Sequence, residues 1–245
     1  MLIKAAINGN RTCREHPAIP VTAEQQAWAA AAAVASGAGA IHVHVRDSNA
    51  RESLKPQDVA AAVQAIRAAC PGIPVGISTG AWIVPEVESR LSFIDAWNVL
   101  PDFASVNIHE AGALQVARLL LDRGVGLEAG IWTARAAETL LNAGLAEACL
   151  RILIEPAEGP GNAHENLAQI EAALQGVDSP RLLHGLGASA WEFVRLAAEL
   201  KYDTRTGFED TLLLPDESQA RSNADLVLAA SRIIAEVHSQ VNEKV

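Results

Sequence analysis

What most constrains this chain is an alternation of two periods. Short apolar runs of β character recur along it: Leu2–Asn8, Ala40–Arg46, Pro74–Thr79, Phe103–His109, Gly124–Ile131, Arg151–Glu155, Arg181–Gly185 and Asp203–Glu209. Each is followed by a stretch of helical character: Thr22–Ser36, Pro56–Ala69, Glu86–Trp97, Ala111–Asp122, Ala134–Ala143, His164–Leu174, Ser189–Leu200 and Asp216–Val237. In Pro56–Ala69 the residues Val59, Val63 and Ile66 fall at i, i+4 and i+7. Thr22 with Gln25 three residues on has the form of a capping box. Eight such units in 245 residues average about 31 residues each, near the minimum for a (β/α)8 barrel. An open doubly wound sheet would carry a Gly-rich turn after its first strand. Here Asn8-Gly9-Asn10-Arg11 runs on to His16-Pro17-Ala18-Ile19-Pro20, which is no dinucleotide loop, and there is no Walker A sequence. No linker, low-complexity block or charge run divides the chain. The expectation is an α/β fold, a TIM (β/α)8 barrel, as a single domain over 1–245.

Half the residues are hydrophobic and 20% are charged, enough for a sizeable core and too apolar for a disordered chain. Asp and Glu outnumber Lys and Arg by 29 to 19, a formal charge of −10. That balance excludes a broad basic footprint for nucleic acid or an acidic membrane, but not a locally positive pocket for a small anion. Cys13, Cys70 and Cys149 are scattered, with no CxxC pair and no disulfide framework. Met1 leads into Leu2–Asn8 with no basic n-region or cleavage site, and the longest apolar run, Ala27–Ala35, is too short to span a bilayer. A cytoplasmic protein is expected.

In a barrel of this kind the chemistry sits at the carboxyl ends of the strands. The second strand reads Ile41-His42-Val43-His44-Val45-Arg46-Asp47. Period-two alternation puts His42, His44 and Arg46 on one face, with the imidazoles about 7 Å apart along the strand. Such a pair can converge on one divalent cation; the alternative is two core histidines satisfied by hydrogen bonds. The eighth strand offers a third ligand in Arg205-Thr206-Gly207-Phe208-Glu209-Asp210, where Glu209 shares parity with Arg205 and Gly207. Two histidines and one carboxylate leave open positions for a substrate oxygen, which a metal polarises as a Lewis acid. Arg205 beside Asp210 reads as a charged pair near that metal, or as an ordinary strand-end salt bridge. Ser78-Thr79-Gly80 ends the third strand with hydroxyls and backbone N–H groups suited to a carboxylate or phosphate, or to a capped turn. Ser105, Asn107 and His109 on the fourth strand, Glu110 beyond it, Glu128 on the fifth and His184 on the seventh put polar groups on most of the strands.

Asn8-Gly9, the segment His16-Pro17 to Pro20-Val21-Thr22, His42-Val43-His44-Val45-Arg46-Asp47, Ser78-Thr79-Gly80, Ser105-Val106-Asn107 and Arg205-Thr206-Gly207-Phe208-Glu209-Asp210 together resemble the β-keto acid cleavage enzyme family. The similarity runs over essentially the whole chain. HxH followed by RxGxED in this order is specific. The best-known activity of the family is 3-keto-5-aminohexanoate cleavage in lysine fermentation. The resemblance implies a zinc-dependent TIM barrel that reacts a β-keto acid with acetyl-CoA to give acetoacetate and a new acyl-CoA. It implies one zinc ion on His42, His44 and Glu209, and Arg205 with Asp210 as the catalytic pair. It implies that Ser78, Thr79 and Gly80 hold the keto acid's carboxylate with Ser105 and Asn107 lining the pocket, and Asn8, Arg11 and Glu128 stand beside them as further candidate substrate-binding residues. It also implies a homo-oligomer, tetramer or dimer.

Two departures bear on the substrate. The acid that members acting on the amino-keto acid carry after the first-strand glycine corresponds here to Arg11, and a second acid on strand 5 corresponds to Gly130. An arginine repels an ammonium and binds a carboxylate. The expected substrate is therefore an anionic or neutral β-keto acid, such as a keto-dicarboxylate, rather than 3-keto-5-aminohexanoate. A metal-dependent hydrolase on the same fold is the rival reading. Amidohydrolase-type barrels use HxH on the first strand with histidines on strands 5 and 6, where this chain has none. A non-catalytic metabolite-binding barrel is the third.

Overall fold

The computed structural model describes residues 1–156 and 163–242. The order of elements is β1 (Ile3–Ala6), α1 (Ala23–Ala35), β2 (Ala40–Val43), α2 (Pro56–Ala69), β3 (Val75–Ser78), α3 (Val87–Asp95), β4 (Phe103–Asn107), α4 (Ala113–Asp122), β5 (Gly126–Ile131), α5 (Ala134–Asn142), β6 (Cys149–Ile154), α6 (Ala163–Ala173), β7 (Arg181–Leu183), α7 (Ala190–Leu200), β8 (Asp203–Thr206) and α8 (Asn223–Asn242). The strands pair in sequence order, all parallel, and β1 closes on β8 through Ile3 opposite Thr204. This is the expected (β/α)8 barrel.

The alternation explains the layers. Ile41 and Val43, Leu127, Ala129 and Ile131, and Ile152 and Ile154 are fully buried in the core between the barrel and its helices. Val59, Val63 and Ile66 bring α2 onto that layer with no exposure at all, each contributing roughly 1.5–3 kcal/mol by burial. Thr22 caps α1 as expected: its side chain accepts from Gln25 N, and the Gln25 side chain accepts from Thr22 N. No helix among the described residues is long and apolar enough to cross a membrane.

The strands are shorter than the apolar runs. β2 stops at Val43 and β8 at Thr206, so His44, Arg46 and Glu209 lie beyond the ladder. His44 keeps its direction because Asn8 clamps its backbone: Asn8 Oδ1 accepts from His44 N at 2.8 Å, and Asn8 Nδ2 donates to His44 O at 2.9 Å. Arg46 leaves the shared face, and its guanidinium donates to the backbone carbonyls of Gly9 and Arg11. α8 begins at Asn223 rather than Asp216. The segment before it makes an antiparallel bridge, Leu213 to Gln219, and Ser222 Oγ then accepts from Asp225 N to start the helix. Asn223 pins that start to the barrel by donating to Ile7 O and accepting from Phe208 N.

Candidate active site

The turn after β8 brings Glu209 over the mouth of the barrel. It needs two glycines. A Cβ on Gly207 would stand 2.0 Å from Ala6 O, so only glycine lets the chain leave β8 this close to β1. Gly9 has φ +57°, and a Cβ there would lie 2.6 Å from Glu209 Cγ. With both gaps open, Glu209 Oε2 reaches 3.4 Å from His42 Nε2 and 3.4 Å from His44 Nε2. The two rings stand at 77° with centroids 5.3 Å apart, and the three donor atoms lie within 4.8 Å of one another.

The other atoms of these side chains are already committed. Arg205 Nη2 donates to Glu209 Oε1 at 2.8 Å and to Asp210 Oδ1 at 2.6 Å, and Arg205 Nε donates to Asp210 Oδ1 at 3.0 Å. His42 Nδ1 faces Ser105 Oγ at 3.4 Å, and His44 Nδ1 lies 2.5 Å from Glu52 Oε1. Glu209 Oε2 is left buried without a hydrogen bond of acceptable geometry. Two nitrogens each 3.4 Å from one orphaned carboxylate oxygen, all three atoms within 4.8 Å of one another, are close enough to share a cation held at about 2.0–2.2 Å. The residues fit a divalent metal.

The electrostatics agree with that assignment. Burial lowers the His42 pKa to about 3 against the pull of Glu209, so its ring is neutral. Burial also opposes charge on His44, but Glu209 and Glu52 outweigh it and raise the pKa to about 9. A cation bound there displaces a proton. Burial pushes Glu209 up, yet Arg205 and the two histidines hold it well below the ordinary carboxylate range. Asp210 goes the other way: burial raises it more than Arg205 and His184 lower it. Its Oδ2 is buried and unpaired, while His184 Nδ1 stands 3.6 Å from Oδ1.

A cleft of about 160 Å³ opens over the cluster. Of the residues expected to bind substrate, Ser78, Ser105 and Asn107 line it. The others are held elsewhere. Asn8 is spent on the backbone of His44 and Pro20. Arg11 pairs with Glu15 at 3.1 Å and is absent from the cleft wall. Thr79 Oγ1 donates to Ser105 O, and Gly80 lies under the ring of Trp82. Glu128 sits below the floor, fully buried against Lys4, accepting from Ser105 Oγ at 2.6 Å and standing 3.4 Å from Arg151 Nε. A Cβ on Gly130 would lie 2.6 Å from Asn107 Oδ1, so a larger residue there would require the Asn107 side chain to move.

The wall also holds residues outside the candidate set drawn from the sequence. Trp82, Trp132, Leu153, Leu186 and Glu155 face the cleft, with Glu155 Oε2 3.0 Å from His184 Nε2. Glu155 ends an apolar run, so the strand-end rule would have found it. Trp82, Leu186 and Glu52 come from loops and carry no periodic signal. A larger groove of about 700 Å³ between α7 and α8 gathers ordinary surface pairs such as Arg221–Asp225; the chemistry converges on the smaller cleft.

A parallel barrel with two imidazoles, one carboxylate and a buried Arg–Asp pair at its carboxyl mouth defines a class: the barrel enzymes whose cleft is built around a cation-type cluster. The chain belongs to the beta-keto acid cleavage enzyme family, whose description matches residues 1–244. A 3-keto-5-aminohexanoate cleavage enzyme of Fusobacterium nucleatum subsp. nucleatum is 24% identical over 257 residues, which cover 98% of this chain and 93% of that one. The ternary complex of ObcA with C4-CoA adduct and oxalate superposes with TM-score 0.71 at 15% identity, covering 93% of this chain and 67% of ObcA. The binary complex of ObcA with oxaloacetate gives 0.66 at 15% identity, covering 91% and 67%. These two show the same fold.

Proposed function

We propose that this β-keto acid cleavage enzyme exchanges acyl groups between a β-keto acid and acetyl-CoA. A β-keto acid RCOCH2COO⁻ and acetyl-CoA become acetoacetate and RCO-CoA, so one C–C and one C–S bond break and one of each forms, with no redox change. The observation that carries the metal part is the pair of imidazole nitrogens facing one orphaned Glu209 oxygen at equal distance. Zinc is the cation the family resemblance implies, and His42, His44 and Glu209 would hold it. When bound, it draws electrons from the keto oxygen, which acidifies the adjacent C–H.

The chain's own residues do the rest. Arg205 holds Glu209 by one oxygen and Asp210 by another, so both carboxylates keep fixed directions. Asp210 moves the proton, at Oδ2, the oxygen with no partner. Ser78 takes the substrate carboxylate through its hydroxyl, since the Thr79 and Gly80 N–H groups already donate to Ser105 O and Ser78 Oγ, and Asn107, held by Glu110, borders the pocket. The reading extends to one catalytic domain over 1–245, working as a cytoplasmic homo-oligomer.

The substrate is an anionic or neutral β-keto acid rather than the amino-keto acid. Trp132, Leu153 and Leu186 favour an uncharged substituent. The ObcA complex with oxaloacetate supports the anionic alternative. Turnover of a panel of β-keto acids with and without acetyl-CoA, alongside metal analysis, tests the reading. We expect consumption to require acetyl-CoA and to yield acetoacetate. Consumption without acetyl-CoA overturns the transferase chemistry, and a strong preference for 3-keto-5-aminohexanoate overturns the substrate assignment.

A further inference from the structure

Glu52 joins a candidate metal ligand, His44, to a residue of the cleft wall, Trp82. It sits in the loop between β2 and α2, on the far side of a small hairpin. Arg46 and Glu52 bridge antiparallel there, and Asp47 closes the turn by accepting from Arg51 N at 3.0 Å. Glu52 Oε1 is 2.5 Å from His44 Nδ1, and Glu52 Oε2 accepts from Trp82 Nε1 at 3.0 Å. The Trp82 ring arrives from the loop after β3 and stacks on His44, with centroids 6.1 Å apart at 22°. It also covers Gly80, where a Cβ would stand 2.3 Å from the ring. The Glu52 side chain is 12% exposed and Trp82 is 48% exposed, so one end of the linkage is enclosed and the other meets solvent.

The two oxygens of Glu52 therefore have separate partners. An imidazole whose Nδ1–H points at a carboxylate presents its Nε2 lone pair, and its ring angle is set by that contact. For His44 that leaves Nε2 on the side of Glu209. The indole N–H has no acceptor role, so Trp82 is held by donation alone. We propose that Glu52 is the positioning residue of this site: it orients His44 for the cation and ties the Trp82 wall to that ligand. The linkage rests on the metal reading above and goes beyond it. Because coupling between two sites is reciprocal, cation binding at His44 and the environment of the Trp82 indole change together.

The test uses the full chain, stripped of metal with chelator and titrated with Zn²⁺ against a competing chelator while tryptophan fluorescence is recorded. Glu52→Ala is expected to bind Zn²⁺ about 10–100-fold more weakly, as loss of a ligand-orienting carboxylate does elsewhere. Trp82→Phe, which keeps the Glu52–His44 contact, is expected to stay within about threefold of wild type in affinity but to lose the Zn²⁺-dependent fluorescence change. Wild-type protein that takes up no Zn²⁺ overturns the metal reading itself. Wild-type protein that binds Zn²⁺ while Glu52→Ala binds equally well overturns the positioning role and leaves the metal reading standing. A fluorescence change that survives in Trp82→Phe overturns the link to the wall. If the alanine variant does not fold, the isosteric Glu52→Gln decides. With one acceptor oxygen for two donors it is expected to lose affinity or the fluorescence change, and wild-type values for both overturn the proposal.

Discussion

Lys4→Met probes how the barrel tolerates charge beneath its active site. Lys4 and Glu128 are both fully buried and in contact, with Arg151 Nε 3.4 Å from the second Glu128 oxygen and Ser105 Oγ donating at 2.6 Å. Phe103 lies against both cations, 5.8 Å from Lys4 Nζ and 5.3 Å from Arg151 Cζ. Methionine keeps an unbranched side chain one atom shorter than lysine's and removes the charge. Breaking a buried pair costs about 3–5 kcal/mol because a charge is left stranded. Arg151 and Ser105 still serve Glu128, so the lower end, about 3 kcal/mol, is expected. At 2–4 °C per kcal/mol for a chain of this size, that is roughly 6–12 °C in melting temperature. Urea and thermal unfolding measure it. Lys4→Met with Glu128→Leu and Arg151→Met, which removes all three charges, is expected to return to within about 1 kcal/mol of wild type or above it. The pH profile is a second readout. Burial pushes the Glu128 carboxyl up, but Lys4 and Arg151 outweigh it and hold the pKa at about 2, below the ordinary 4.5. Its stabilisation is therefore present above pH 4.5 and lost as pH falls toward 2. A single variant within 1 kcal/mol of wild type at neutral pH would refute this account of the buried pair.

Two further outcomes follow from the geometry. Asp210→Asn keeps the shape beside Arg205 but not the proton acceptor, so kcat should fall about 10²–10⁴-fold with metal content unchanged; a loss under tenfold in steady-state assays removes Asp210 from the proton transfers. Gly207→Ala forces a methyl to within 2.0 Å of Ala6 O, and denaturant unfolding should show a loss of about 2–3 kcal/mol or failure to fold.

Much of this was legible along the chain because period and handedness are local rules. Alternating apolar runs specify which faces meet helices, and a right-handed crossover leaves few ways to close eight such units. His42 and His44 stood out because two residues apart on a strand means the same face. Glu209 was found by a parity that does not extend to it: β8 ends at Thr206, and the carboxylate arrives through a turn that Gly207 and Gly9 make possible. Arg46 obeyed the same parity in sequence and departed from it in space, because two carbonyls of the β1 loop needed a donor.

The order of residues alone therefore determined the barrel, its layers and which strands carry ligand-type side chains, since these depend on spacing over a few residues. Tertiary structure decided which carboxylate oxygen faces both imidazoles and that Arg11 turns to Glu15. It also decided that Glu128 lies below the floor and that Glu52 and Trp82 reach His44 from separate loops. Those outcomes depend on how distant backbones approach within a fraction of an ångström, and no local period encodes that distance.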